Sequence, residues 1–214
     1  MMDMSRSTIT VIAVMAVFML AGCGQELTAG GQRDGEVSTV VTDDPNESQA
    51  GPAATRNLIS GPGAQLTADP GSAEGTVEVE ATTVLVDESG REVPLSSLAP
   101  SVSVTIAAAD SATLERSEVR VGRYTLARIT FTRVKADLTT GLAVAAGVEI
   151  TGTVRVDLGQ PLVVDAPIEL TVQEDGRHQL VIDLNASAWL AAADPVLRTV
   201  SSTTFRSAVE VRVE

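Results

Sequence analysis

"YTLARITFTRVKADL", residues 124–138, changes the parity of its apolar side chains twice. Tyr124 and Leu126 share one parity, Ile129 and Phe131 the other, and Val134, Ala136 and Leu138 return to the first. In an extended strand alternate side chains face opposite sides, so a slip of one residue moves every later side chain to the other face. A strand that keeps one face buried through two slips needs two bulges, or it must pass from one sheet to another. Both devices belong to sheets that curve over a shared core, and the segment therefore predicts a sandwich.

The flanking sequence supports this. Val77, Val79 and Ala81 alternate with Thr76, Glu78 and Glu80, and Val102, Val104 and Ile106 alternate with polar neighbours. Val148 and Ile150 share a parity with Val154, Val156 and Leu158; Ile168, Leu170 and Val172 repeat the pattern, as do Leu180, Ile182 and Leu184, then Val209, Val211 and Val213. Period two over so many segments predicts half-buried antiparallel strands. Asp175-Gly176 and Ser89-Gly90 read as hairpin turns between such runs. One helix is expected, with Ser187 as its N-cap and Asp194-Pro195 as its stop. Trp189 on that helix reads as a plug over an open end of the sandwich, and ligand stacking is its alternative role. The expected fold is all-β: a single antiparallel β-sandwich of the Greek-key or prealbumin-like kind over residues 75–214, with one short helix. A small β-barrel is the alternative. Aromatic residues make up only 2% of the chain, so Val, Ile, Leu and Ala must fill the core.

Residues 23–74 differ in character. They are rich in Gly, Ala, Ser, Thr, Asp and Pro and show no sustained period of 2 or 3.6. Residues 24–74 carry eight acidic and two basic side chains. The stretch reads as a disordered acidic linker, which as a flexible coil of about 50 residues would span roughly 40 Å. Its apolar islands "VSTVV" (37–41) and "NLIS" (57–60) read as chance, docking being the alternative. Asp43, Asp44, Asn46 and Glu47 lack the spacing of a calcium loop and read as solvated tail.

The first 22 residues have the layout of an export signal. Arg6 precedes an apolar run from Ile9 to Leu20, and small residues lead into Cys23, the only cysteine. The run is too short to cross a bilayer, which takes roughly 20 apolar residues. Leu20-Ala21-Gly22-Cys23 resembles the lipobox of bacterial lipoproteins. That resemblance implies cleavage before Cys23, diacylglycerol on its sulfur, acyl chains such as palmitate, and a place in the cell envelope. In bacteria with two membranes, Gly24 after the cysteine favours the outer one. After Cys23 no disulfide is possible, so the core alone must hold the fold. The formal charge of -13 argues against nucleic acid or anionic lipid headgroups as partners, since both would be repelled.

Beside the lipobox, "VRVGRYTLARITFTRVKADL" and "VEITGTVRVDLGQPLVVDAPIELTVQEDGRHQLVIDLNAS" resemble a β-sandwich domain of unknown function found in bacterial lipoproteins. The resemblance covers roughly residues 76–190 and rests on Gly122, Tyr124 and the Leu180–Leu184 strand. It implies no catalytic residues. No other motif points to catalysis, a cofactor or a metal. His178, the sole histidine, has no second histidine or cysteine for zinc and reads as a solvated hairpin residue. Asp157, Asp165, Glu169 and Asp183 could converge as paired acids; outer-face strand residues are the simpler reading. The expected function is a non-catalytic, membrane-anchored sandwich that binds an envelope or surface protein or has a structural role. A carrier of an apolar ligand between the sheets is the alternative, and an unrecognised hydrolase ranks third.

Overall fold

The computed structural model describes residues 34–44, 73–144 and 148–214. The signal segment, Cys23, Asn46, Glu47 and "NLIS" lie outside them. The described elements begin with β1 (Gly35–Asp43), β2 (Gly75–Asp87), β3 (Glu92–Pro94), β4 (Ser101–Thr105) and β5 (Ala108–Val119). The long β6 (Gly122–Val144) follows, then β7 (Val148–Asp157), β8 (Leu162–Val172) and β9 (Arg177–Asp183). Helix α1 (Ala186–Leu190), β10 (Thr199–Ser201), α2 (Ser202–Ala208) and β11 (Glu210–Val213) complete the fold.

The strands form two sheets. The smaller runs β11-β9-β1-β5 and the larger β10-β7-β6-β2-β3, with β4 also on β2 and β8 also on β6. β6 is the spine of the larger sheet. Its register against β2 slips between Tyr124 and Leu126 and again between Phe131 and Arg133. The extra residues are Thr125 and Thr132, so β6 carries two bulges and stays in one sheet; the first lies between Tyr124 and Leu126, which leaves Leu126 off the face that buries Tyr124. Buried positions run Tyr124, then Ala127, Ile129 and Phe131, then Val134, Ala136 and Leu138. The Thr132 hydroxyl donates to the Glu80 carbonyl at 3.2 Å, which ties the second bulge to β2.

Four features differ from the sequence expectation. Residues 35–43, assigned to the linker, form β1, which pairs with β5 on one side and β9 on the other. Val37 and Val41 are wholly buried, as is Thr39 between them. A strand with partners on both edges and cover on both faces loses the polar alternation that marks a half-buried one. Second, the fold is not purely antiparallel, because β1 runs parallel to β9 and β10 parallel to β7. Third, the Asp175-Gly176 turn is not a hairpin. β8 pairs with β6 and β9 with β1 and β11, so this turn carries the chain from one sheet to the other. Only Asp175 has positive φ there, whereas a type I′ turn needs it at both central residues. The Ser89-Gly90 turn does join paired strands, β2 and β3.

The fourth difference is a second helix. Ser201 caps α2 by accepting from the Thr204 amide at 3.1 Å. Phe205 on α2 lies edge-on to Phe131 of β6 at 5.2 Å and to Trp189 of α1 at 5.6 Å. All three rings are wholly buried, so Trp189 belongs to the core and presents no face to a ligand. α1 runs Ala186–Leu190 with Asn185, in the left-handed region at φ 47°, at its N-cap position, so it starts two residues earlier than expected from a Ser187 cap and ends before it reaches Asp194-Pro195.

Candidate functional site

The four carboxylates singled out in the sequence do not come together. Asp157 is exposed at the end of β7 opposite Ser201. Asp165 accepts from Arg128 Nε at 2.8 Å on the outer face of the larger sheet, where Arg128 also pairs with Glu92. Glu169 is exposed further along β8, and Asp183 is buried in the smaller sheet. No group of three or more acidic, histidine or cysteine side chains able to hold a metal exists among the described residues. His178 is a half-buried β9 residue opposite Val37, rather than a solvated turn residue, and its Nε2 has no hydrogen-bond partner.

The structure instead pairs Asp183 with Asp43, which the sequence placed in a solvated tail. Thr42 is level with Asp183 in the parallel β1–β9 ladder, so Asp43 follows one step beyond it. Both side chains are almost fully buried, at 3% and 1% exposure. Asp43 Oδ1 accepts from the Ala186 amide at 2.6 Å and Oδ2 from the Ala107 amide at 2.7 Å. Asp183 Oδ1 accepts from the Asn185 amide at 3.2 Å. Its Oδ2 makes no hydrogen bond and lies 3.9 Å from Arg212 Nη1 on β11. Ala107 and Asn185 both have positive φ. The pair therefore joins the end of β1 to two strained turns, each of which has a backbone N–H that needs a buried acceptor.

Burial raises both carboxyls, partly offset by backbone N–H donors, and each lies in the field of other acids. Asp183 is pushed up to about 6, with Asp43 and Glu210 raising it further and Arg212 lowering it. A carboxyl whose folded-state value exceeds its unfolded one is costlier to ionise in the native state. Its native-state cost is absent below pH about 4 and grows as pH rises toward 6. Against Asp183→Asn, the native protein should gain on the order of 3 kcal/mol on acidification from pH 7 to pH 4. Urea unfolding of both proteins across that range checks this. A difference that does not change with pH would show that Asp183 titrates normally.

A second buried acid, Glu115 of β5, accepts from the Thr39 hydroxyl at 3.4 Å, and burial pushes its carboxyl upward. Neither place presents a carboxylate to solvent in the manner of an acid–base catalyst. The surface offers an edge instead. β8 and β11, edge strands of the two sheets that lie against each other, flank a groove of about 520 Å³ lined by Val163, Asp165, Ala166, Arg206, Val209 and Val211, among others. No family model, curated protein or solved structure matches the chain.

Proposed function

We propose that the protein is a bacterial lipoprotein, anchored through a diacylglyceryl group on Cys23, that displays a non-catalytic β-sandwich at the cell envelope. The observation that carries this reading is the order of features along the chain. A short charged start, an apolar run and Leu20-Ala21-Gly22-Cys23 precede the first described strand at Gly35. Only a thiol offers the nucleophile that lipid attachment needs, and two or three acyl chains give the stable anchoring that one does not. The non-catalytic part is supported by the engagement of Asp43 and Asp183 with backbone amides and of Asp165 with Arg128. Protein binding is supported by the β8 edge, where Val163 is 40% exposed beside the groove. An open edge can accept a partner's strand, and Pro167 on β8 limits how far such pairing could extend.

Expression of the full chain in bacteria fed a clickable palmitate analogue tests the anchor. The native protein should carry label and enter the detergent phase on partitioning, and Cys23→Ser should lose both properties. Label kept by the serine variant would remove Cys23 from this role.

A further inference from the structure

The first described strand begins much closer to Cys23 than the composition suggests, and this bears on what the domain touches. Residues 24–34 cannot reach further than roughly 40 Å even when fully extended. The chain enters the fold at one particular end. Gly35 is level with Val119 at the end of β5, and a Cβ on Gly35 would lie 2.6 Å from Val172 Cγ1. Val172 is level with Gly122, the first residue of β6. The chain thus enters beside the β5–β6 turn, next to the β2–β3 turn that faces Tyr124.

These two turns enclose a surface depression of about 280 Å³ lined by Asp87, Glu88, Arg91, Arg120, Val121 and Arg123, among others. Both turns are braced. The Tyr124 hydroxyl donates to the Arg120 carbonyl at 3.0 Å, and Asp87 Oδ1 accepts from the Ser89 and Arg91 amides at 2.8 and 2.9 Å. Arg123 is paired with Glu88 at 3.0 Å, but neither Arg91 nor Arg120 is in an ion pair among the described residues. Val121 stands exposed next to Arg120. Asp87 lies in the field of Arg91, but its Oδ1 is taken up by the turn amides, so Arg91 and Arg120 keep guanidinium N–H groups that, around an exposed apolar tip, fit phosphate oxygens at the level where a bilayer passes from headgroup to acyl chain.

We propose that this end of the sandwich rests on the bilayer that holds the anchor, with Arg91 and Arg120 on phospholipid phosphates and Val121 at the interface. The proposal rests on the lipoprotein reading of Cys23. The charge of -13 opposes free association with anionic lipid, so contact depends on the tether, which converts a weak encounter into an intramolecular one.

With the Cys23 sulfur alkylated, an engineered cysteine is the only free thiol. Val121→Cys and Val196→Cys place an environment-sensitive fluorophore at either site. Val196 is 85% exposed on the loop before β10, and β10 pairs with β7 at Arg155, level with Lys135 and roughly 35 Å along β6 from Tyr124. The lipidated full chain is reconstituted in vesicles of phosphatidylethanolamine and phosphatidylglycerol that contain a headgroup nitroxide lipid. Quenching at position 121 should exceed that at 196 several-fold, and the R91E/R120E pair should bring the two together. Glu174→Cys, on the neighbouring β8–β9 turn, gives a second probe at the same end should the label at 121 disturb its turn. Equal quenching at both ends, or stronger quenching at 196, would overturn the proposed orientation while leaving the anchor intact. Failure to float with the vesicles, with an unmodified thiol by mass, would instead remove the anchor and the orientation with it.

Discussion

A polypeptide beginning at Gly75, where the strand alternation starts, should not fold. It lacks β1, which supplies seven cross-strand pairs to β9, from Glu36–Arg177 to Thr42–Asp183, and is the only described partner of β5. The smaller sheet would separate into an unpaired β5 and the β9–β11 pair. The deletion also removes buried Val37, Val40 and Val41, each worth about 1.5–3 kcal/mol when fully buried. Their sum, before any loss of hydrogen bonds, is comparable to the whole stability of an ordinary domain at about 5–15 kcal/mol. Residues 75–214 should therefore show neither a cooperative urea transition nor dispersed amide resonances, whereas residues 24–214 should show both. A synthetic peptide of residues 33–44 should restore structure when added. Cooperative unfolding of residues 75–214 alone would mean that β1 is an accessory strand.

The second large effect is expected at Asp43. Asp43→Ala leaves the Ala107 and Ala186 amides without acceptors inside the protein, and each buried orphan costs about 1–3 kcal/mol. A loss of about 2–5 kcal/mol should appear as a lower urea midpoint. Asp43→Asn keeps one acceptor oxygen but turns its amide N–H₂ toward the other donor, so it should fall between the two. Either change removes a negative neighbour of Asp183, and the pH dependence of stability should weaken with it. A substitution that left both midpoint and pH profile unchanged would show that water reaches these amides.

The long strands of the larger sheet were readable because each buries one face, whereas β3 and β10, of three residues each, are too short to show alternation. Val77, Val79 and Ala81 point inward from β2 while Glu78 and Glu80 meet Arg133 on the outside. In β6 two parity changes announce two bulges because local side-chain order is enough to count them, but the first falls at Thr125, between Tyr124 and Leu126, which the parity reading placed on one face. β1 was hidden for the opposite reason. Its residues are covered on both faces, it is flanked by Gly, Pro and acidic residues, and its partners lie far away in sequence at residues 108–119 and 177–183. Asp43 was missed with it, since a carboxylate at the end of an unseen strand is indistinguishable from one in a solvated tail. Asp183 was among the candidates, but nothing local distinguishes an acid that faces two turns from one that faces water. The β8–β9 connection failed similarly, because Asp175-Gly176 favours a turn without specifying which sheet receives the next strand. α2 had a weak sign in Ser201, whose cap lacks the Glu or Gln three residues on that would complete a capping box.

The place of β1 between β5 and β9 also governs when the molecule can become native. β9 and β11 do not exist until residues 177–213 have been synthesised, so the earliest strand waits for nearly the latest ones. Such high contact order slows folding and leaves the edges of β1 and β5 unpaired in the nascent chain. Until β9 has been made, the first 176 residues hold a strand whose place is reserved by partners not yet present.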